Sequence, residues 1–331
     1  MKQMGNMLLT RQPFAEIVMG NTALVRAMIE TGTQVVTSYP GSPTPEIATA
    51  IAAIPIAERP FYFEFSTNEK VATEVAYGAA VNGHLSTVFF KSVGLNVAAD
   101  TFVQLSLMNI LGGMVVILGD DPGANSSQNE QDNRHYAQLS YTAVFEPADP
   151  GEAYLYYKAA AKLAREHQTA VIVRLTTHVC HAKSKVRFDA WQPQPQDNTP
   201  RFDSANGPYI PIAADVFPMK RNALVRLEEI RQYAATSPLN RRSARGNPRG
   251  ILTTGLTALS TEAVLETLEQ PPDLLKLALS YPLARPTVVD FLRTHEEVFV
   301  LEELDNLMEL EVKALAYDTD LKTRIIGKLD D

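Results

Sequence analysis

Met114–Leu118 reads MVVIL, apolar at five successive positions, and Thr87–Phe90 (TVFF) is nearly as uniform. A strand with one face in water alternates apolar and polar residues, so runs like these must be covered on both faces. Helices supply that cover in a doubly wound parallel sheet, and the flanking sequence has the strand–helix alternation this α/β architecture needs. Further strand candidates are Gln34–Ser38, Phe61–Phe65 and Ala170–Leu175. Helical spacing of apolar residues runs over Asn21–Glu30, with Gly32 as its C-cap, and helices are also expected over Asn68–Val81 and Glu152–Arg165. Thr44-Pro45-Glu46 carries the proline and acid of a first helical turn. Residues 1–185 are therefore expected to form one doubly wound domain.

Composition changes between Trp191 and Pro218, where prolines at 193, 195, 200, 208, 211 and 218 accompany little hydrophobic periodicity. The region 186–249 reads as a linker, or an arm lying on another surface, with an amphipathic helix in Phe217–Leu239. Lys220, Arg221, Arg226, Arg231, Arg241, Arg242, Arg245 and Arg249 are opposed there only by Glu228 and Glu229. That is the pattern of a solvated basic face or of a contact with an acidic partner. From Ile251 a smaller α/β pattern begins: strand Ile251–Thr254, helix Leu259–Leu268, strand Leu274–Leu279, helix Thr287–Arg293 and strand Val298–Glu303. It assigns 250–331 to a second domain, and two domains suit a chain of 331 residues.

Thirty Lys+Arg against 38 Asp+Glu give a net charge of −8, which argues against a general nucleic-acid binder. No apolar run approaches the roughly 18–20 residues of a membrane span. The N-terminal MKQMGNMLLTRQPF lacks the apolar stretch of a secretory signal, so a cytoplasmic location is expected. Cys180, the single cysteine, can neither close an internal disulfide nor supply a four-thiolate iron–sulfur site. In His178-Val179-Cys180-His181, a continuing strand would put His178 and Cys180 on one face and His181 on the other, which is poor chelating geometry. No metal is expected on this chain. GxSxG, GxxxxGK[ST] and GxGxxG are all absent.

The segments that could carry chemistry follow predicted strands. Tyr39-Pro40-Gly41-Ser42-Pro43 leaves one strand and enters a helix, and ligands of open parallel sheets sit outside such strand ends. Free N–H groups and small hydroxyls in that position can hold a carboxylate or phosphate. Glu69 and Glu74, five apart, diverge by about 140° on an ideal helix, so one can point into the fold while the other is solvated. Glu69, in the first turn, is the candidate for a site, or simply an acid favoured by the helix dipole. Lys91 directly follows the TVFF strand, where an ammonium needs a partner, a ligand or a path out to water. The stretch Gly119–Tyr136, dense in amides and acids, reads as a site lining.

Taken in order, GN-x-A at 20–23, YPGSPTPEI at 39–47, NEKVATEVAYGAA at 68–80, KSVGLNVAAD at 91–100, GDDPGANSSQNEQDNRHYA at 119–137, VRLTTHVCHAK at 173–183 and VLEELDNLMELEV at 300–312 form a colinear set. The set resembles the α subunits of indolepyruvate:ferredoxin oxidoreductases, thiamine-diphosphate-dependent 2-oxoacid oxidoreductases related to pyruvate:ferredoxin oxidoreductase. The resemblance implies a pyrimidine-binding module in 1–185 and a transketolase-C-terminal-like module in 250–331. It implies that Glu69, held in a dry pocket, hydrogen-bonds the aminopyrimidine ring and takes part in its proton transfers. Tyr39, Pro40, Gly94 and Asn96 would surround the cofactor, and Ser42, Lys91, Asp121 and Gln128 would meet the substrate. Lys91 would be catalytic, near the oxoacid carboxylate or the charge that develops during reaction. Ser42 stands where relatives carry threonine, which keeps the hydroxyl and loses a methyl.

Two departures accompany the likeness. His178 and Cys180 occupy positions where arginine and serine are expected, and Gly119-Asp120 is followed by Asp121 rather than by the glycine of a GDG motif. With no GDG and one cysteine, the chain is expected to work as a subunit. One partner chain would carry the diphosphate-binding domain with its Mg²⁺, and an iron–sulfur, ferredoxin-type subunit would carry the redox centres. The assembly would decarboxylate a 2-oxoacid oxidatively to acyl-CoA and CO2, using coenzyme A. An aryl substrate such as indolepyruvate, phenylpyruvate or phenylglyoxylate is implied, with pyruvate or a branched-chain oxoacid as alternatives. A different reading is a non-catalytic scaffold or regulatory subunit; retention of Glu69, Lys91 and the polar loop speaks against it.

Overall fold

The computed structural model describes residues 2–193 and 199–330, so Pro195, counted in the proline-rich arm, lies outside the described residues. Seven strands form the larger sheet, in the order Leu279–Tyr281, Ala143–Phe145, Ala170–Thr176, Met114–Asp120, Ser86–Lys91, Val35–Ser38, Tyr62–Phe65. Neighbours are parallel except Leu279–Tyr281, which runs antiparallel to Ala143–Phe145. Every residue of Met114–Asp120 and Ala170–Thr176 is buried, as the uninterrupted apolar runs require. Helices Gly20–Glu30, Pro45–Ala52 and Pro150–Glu166 contribute to the core on one face. Glu69–Val81, Gly94–Phe102 and Arg134–Ser140 contribute to the other. No helix among the described residues is long and apolar enough to cross a membrane.

Local chemistry sets the helix starts. Asp149 accepts a hydrogen bond from the amide of Glu152 (2.8 Å), and Glu152 accepts one from the amide of Ala148 (2.8 Å), a reciprocal cap with Pro150 in the first turn. Asn68 caps Glu69–Val81 through the amide of Val71 (2.9 Å), which fixes where Glu69 leaves the helix.

The two α/β units are less separate than the composition suggests. The expected strand Leu274–Leu279 is two strands: Asp273–Lys276 lies in a five-stranded sheet, and Leu279–Tyr281 joins the edge of the seven-stranded one. Leu277 and Ala278, fully buried, make the crossing, and an apolar run carries no mark of where its hydrogen-bond partner changes. The smaller sheet has the order Arg324–Ile326, Glu297–Leu301, Arg249–Thr253, Asp273–Lys276, Arg241–Ser243. Its helix Gly255–Leu265 begins earlier than the expected Leu259. The expected boundary at 185 falls inside strand Lys183–Phe188, which pairs antiparallel with Phe14–Met19. Region 186–249 is therefore only partly an arm: it ends that strand, then forms helix Val216–Thr236 and strand Arg241–Ser243.

One buried cation closes this arrangement. Arg26, fully buried, donates to the carbonyls of Leu8 (2.8 Å), Thr10 (2.6 Å) and Asp189 (2.7 Å) and to Glu30 (2.6 Å). It thereby ties the N-terminal segment and the end of Lys183–Phe188 to helix Gly20–Glu30. Replacing Arg26 by Met removes four charge-assisted hydrogen bonds at once. We expect denaturant unfolding of the variant to show a loss of about 3–5 kcal/mol, the usual cost of breaking a buried ionic contact from one side.

Candidate active site

Strand Val35–Ser38 has Tyr62–Phe65 on one side and Ser86–Lys91 on the other, so the chain reverses its direction of winding between Val35–Ser38 and Ser86–Lys91. A crevice opens beyond the carboxyl ends of strands at such a reversal. The turn after Ser38 and the residue Lys91 flank it. Their approach is close enough to forbid a side chain: a Cβ on Gly41 would lie 2.7 Å from Lys91 Cβ. Gly119 is likewise pressed on the turn, since its Cβ would lie 2.6 Å from Thr44 Cγ2. The turn is held from below by Asn21, whose amide donates to the carbonyl of Pro43 (2.8 Å) and to Glu46 (3.0 Å).

Glu69 enters the same crevice from the next helix. A Cβ on Gly94 would lie 2.6 Å from Glu69 Oε1, so the absence of a side chain at 94 makes room for the carboxylate. Among the described residues no hydrogen bond or ion pair reaches that carboxylate. Glu69 is half-buried, so this chain alone does not give it the dry pocket expected from the sequence. Ser42, also half-buried, has no side-chain hydrogen bond among the described residues, while Tyr39 and Pro40 are exposed at the rim. The structure thus brings Glu69, Gly94, Lys91 and the Tyr39–Ser42 turn together.

The polar loop is arranged differently from expectation. Lys91 Nζ donates to the carbonyl of Ser126 (2.7 Å), so the lysine is shared with the loop. Asp121, expected to meet substrate, spends its oxygens on the loop itself. It accepts from the Ser126 amide (2.7 Å) and the Thr177 hydroxyl (2.7 Å). Burial pushes its carboxyl up, but these donors outweigh burial and hold it at about 2. Through these bonds Asp121 folds the loop. Asn96, expected at the cofactor, exchanges hydrogen bonds with Gln131 (2.9 and 3.1 Å) and accepts from Tyr136 (3.0 Å). Gln128 is exposed and makes no side-chain hydrogen bond among the described residues.

Strand Ala170–Thr176 does not continue; Thr177–His181 forms a short helix, with His178 exposed and Cys180 buried. Burial raises the Cys180 thiol well above its ordinary range, which keeps it protonated.

Sequence reasoning missed an ionic cluster behind the loop. Arg174 donates to Asp120 (2.6 Å) and Glu146 (2.9 Å), and Arg134 to Asp132 (2.6 Å) and Glu302 (2.6 Å). Glu146 also accepts from Thr254 (2.8 Å) and Ser280 (3.0 Å), which joins the cluster to the second unit. The available signal was a charged residue inside an otherwise apolar strand, Arg174 in AVIVRL.

Residues 26–233 match the family described as "Pyruvate flavodoxin/ferredoxin oxidoreductase, thiamine diP-bdg". The chain belongs to that family. This oxidoreductase-family chain is 39% identical over 316 residues to indolepyruvate oxidoreductase subunit IorA of Methanothermobacter marburgensis, covering 95% of the chain and 50% of the relative. IorA of Archaeoglobus fulgidus is 34% identical over 301 residues, covering 90% and 48%. The chain spans about half the length of the curated relatives it matches. A 2-oxoglutarate:ferredoxin oxidoreductase from Magnetococcus marinus, solved with 2-oxoglutarate, coenzyme A and succinyl-CoA bound, shares the fold with a TM-score of 0.76 at 15% identity, over 95% of this chain and 62% of that one. A split-gene transketolase, solved as an inactive β4 tetramer, shares it with a TM-score of 0.57 at 18% identity, over 93% and 86%.

The Asp121 carboxyl lies below its ordinary 3.8, so the pinning it gives the loop is fully present above that value and is lost as pH falls toward about 2. Amide exchange at Ser126, read against exchange in the core strands, should therefore rise only in that acid window. In Asp121→Asn it should be fast at neutral pH.

Proposed function

We propose that this chain contributes the aminopyrimidine-binding half of a thiamine diphosphate site to a multi-subunit 2-oxoacid:acceptor oxidoreductase. The reaction is the oxidative decarboxylation of an aryl 2-oxoacid, with coenzyme A, to the acyl-CoA and CO2, the electron pair passing to a ferredoxin-type acceptor. The observation that carries this reading is the unpartnered carboxylate of Glu69, facing a position where any side chain larger than glycine would displace it. Such a carboxylate fits a ligand that offers a ring nitrogen and an amine, because the acid can share a proton with the first and accept a hydrogen bond from the second.

When bound, thiamine diphosphate supplies the electron sink for loss of CO2. Glu69 holds and moves the proton on the aminopyrimidine. Lys91 and the Ser42 hydroxyl meet the oxoacid carboxylate, the lysine supplying the positive charge that a buried carboxylate requires. Tyr39 and Pro40 form the rim against which an aromatic substrate can lie. The aryl class is supported by relatives named for indolepyruvate, rather than by a pocket enclosed in this chain. The diphosphate end of the cofactor with its Mg²⁺, and the iron–sulfur centres, are supplied by polypeptide outside these 331 residues.

Glu69→Gln keeps the shape of the side chain and removes its proton chemistry. In the assembled enzyme, with thiamine diphosphate at saturation, kcat should fall about 10²–10⁴-fold. Wild-type turnover at full cofactor occupancy would remove Glu69 from the mechanism. Purification from the native source should bring down a partner carrying the diphosphate-binding domain together with iron–sulfur absorption in the visible spectrum. Full activity of the isolated chain with an artificial acceptor would contradict the shared site.

A further inference from the structure

Arg134 begins helix Arg134–Ser140, and among the described residues no hydrogen bond or ion pair joins it to Glu69, Lys91, Ser42, Tyr39 or Pro40. It is 2% exposed, and its guanidinium is fully used. Nε donates to both oxygens of Asp132 (3.0 and 3.0 Å). Nη2 donates to Asp132 (2.6 Å) and to the carbonyls of Glu303 (2.7 Å) and Asp305 (2.9 Å). Nη1 donates to Glu302 (2.6 Å). The far side of this clamp is as well defined as the near side: Glu302 also accepts from the amides of Met308 (3.0 Å) and Glu309 (2.8 Å), at the start of helix Leu307–Asp318. The amide of Asp305 returns a bond to Asp132 (3.2 Å).

Adhesion between the two units does not require this residue. The shared strand Leu279–Tyr281, the Lys276–Glu152 ion pair and the bonds of Glu146 to Thr254 and Ser280 already provide it. Arg134 instead holds the end of the polar loop. Asp132 closes the same loop whose Ser126 carbonyl accepts from Lys91 Nζ (2.7 Å). Between them the loop is fastened to the strand end below it by Gln131 and Asn133, which donate to the carbonyl of Ser92 (3.2 and 3.3 Å).

We propose that Arg134 is a positioning residue: by clamping Asp132 to the Glu302–Asp305 segment, it sets the height of the loop and so the place of the Lys91 ammonium. Any shift of the second unit is then transmitted to substrate binding through a planar five-donor group that lysine cannot replace. The inference rests on the reading that Lys91 meets the oxoacid.

The test uses the assembled enzyme with Arg134→Lys, Glu302→Gln and, in parallel, Lys91→Ala. Glu302→Gln keeps an acceptor for the helix amides and so guards against a mere folding failure. For both clamp variants, KM for the 2-oxoacid should rise about tenfold while kcat stays within about twofold, with cofactor occupancy unchanged. Amides of 122–131 should exchange faster than in the wild type. Wild-type KM in both clamp variants, or unchanged exchange of that loop, overturns the proposal. Wild-type KM and kcat in Lys91→Ala overturn the underlying reading of the lysine instead.

Discussion

Two guanidinium groups and four carboxylates buried at the strand ends are the constraint around which the rest of the site is arranged. Arg134 and Arg174 are matched against Asp120, Asp132, Glu146 and Glu302, all shielded from water. Burying charge is expensive unless each member is both paired and hydrogen-bonded, so a cluster with surplus carboxylates must divide its members by environment. It does. Burial pushes Asp132 up, but the hydrogen bonds of Arg134 and the charge of Arg174 outweigh it and hold the carboxyl at about 2. For Glu302 burial wins over Arg134, and its carboxyl lies above the ordinary range. Because these residues come from the polar loop, from three neighbouring strands and from the second unit, the cluster fixes all five relative to one another.

That placement explains why the polar loop looks like a site lining in sequence and behaves mainly as a frame in structure. Its amides and acids are spent on Ser92, Asn96, Thr177 and the loop's own backbone. What it offers the crevice is a carbonyl, that of Ser126, aimed at Lys91. A neutral acceptor anchors the ammonium without cancelling its charge, so the lysine keeps its positive field for an anionic ligand.

Much of the fold was legible because burial on both faces leaves a plain mark: Met114–Leu118 and Thr87–Phe90 could only be interior strands, and the structure makes them so. The position of Glu69 in a first helical turn was legible too, since the helix expected over Asn68–Val81 begins at Glu69, with Asn68 as its cap. Other features left no local mark. Phe14–Met19 finds its partner at Lys183–Phe188, far along the chain, and its burial does not alternate. Leu274–Tyr281 changes sheets within an apolar run, and only the ion pair of the fully buried Lys276 with Glu152 shows that a packing boundary passes there. The internal partners of Asp121 and Asn96 left no mark either, because a sequence records which groups can hydrogen-bond, not which partners reach them first.

The crevice owes its geometry to three missing side chains. Gly41 lets the turn after Ser38 lie against Lys91, Gly94 lets helix Gly94–Phe102 lie against Glu69, and Gly119 lets the central strand end lie under Pro43 and Thr44. Each contact sets the bare backbone of a glycine against a neighbouring side chain, that of Lys91, of Glu69, or of Pro43 and Thr44, too closely for a Cβ. Glycine leaves no side chain to cover the crevice at these points, and Glu69 and Ser42 remain half-buried. A carboxyl that is to share a proton with a ring nitrogen needs a lower dielectric than that, since water competes for both groups. On the proposed reading, the enclosing surface and the diphosphate-binding half are therefore one requirement: the polypeptide that brings the second half of the cofactor site also dries the first.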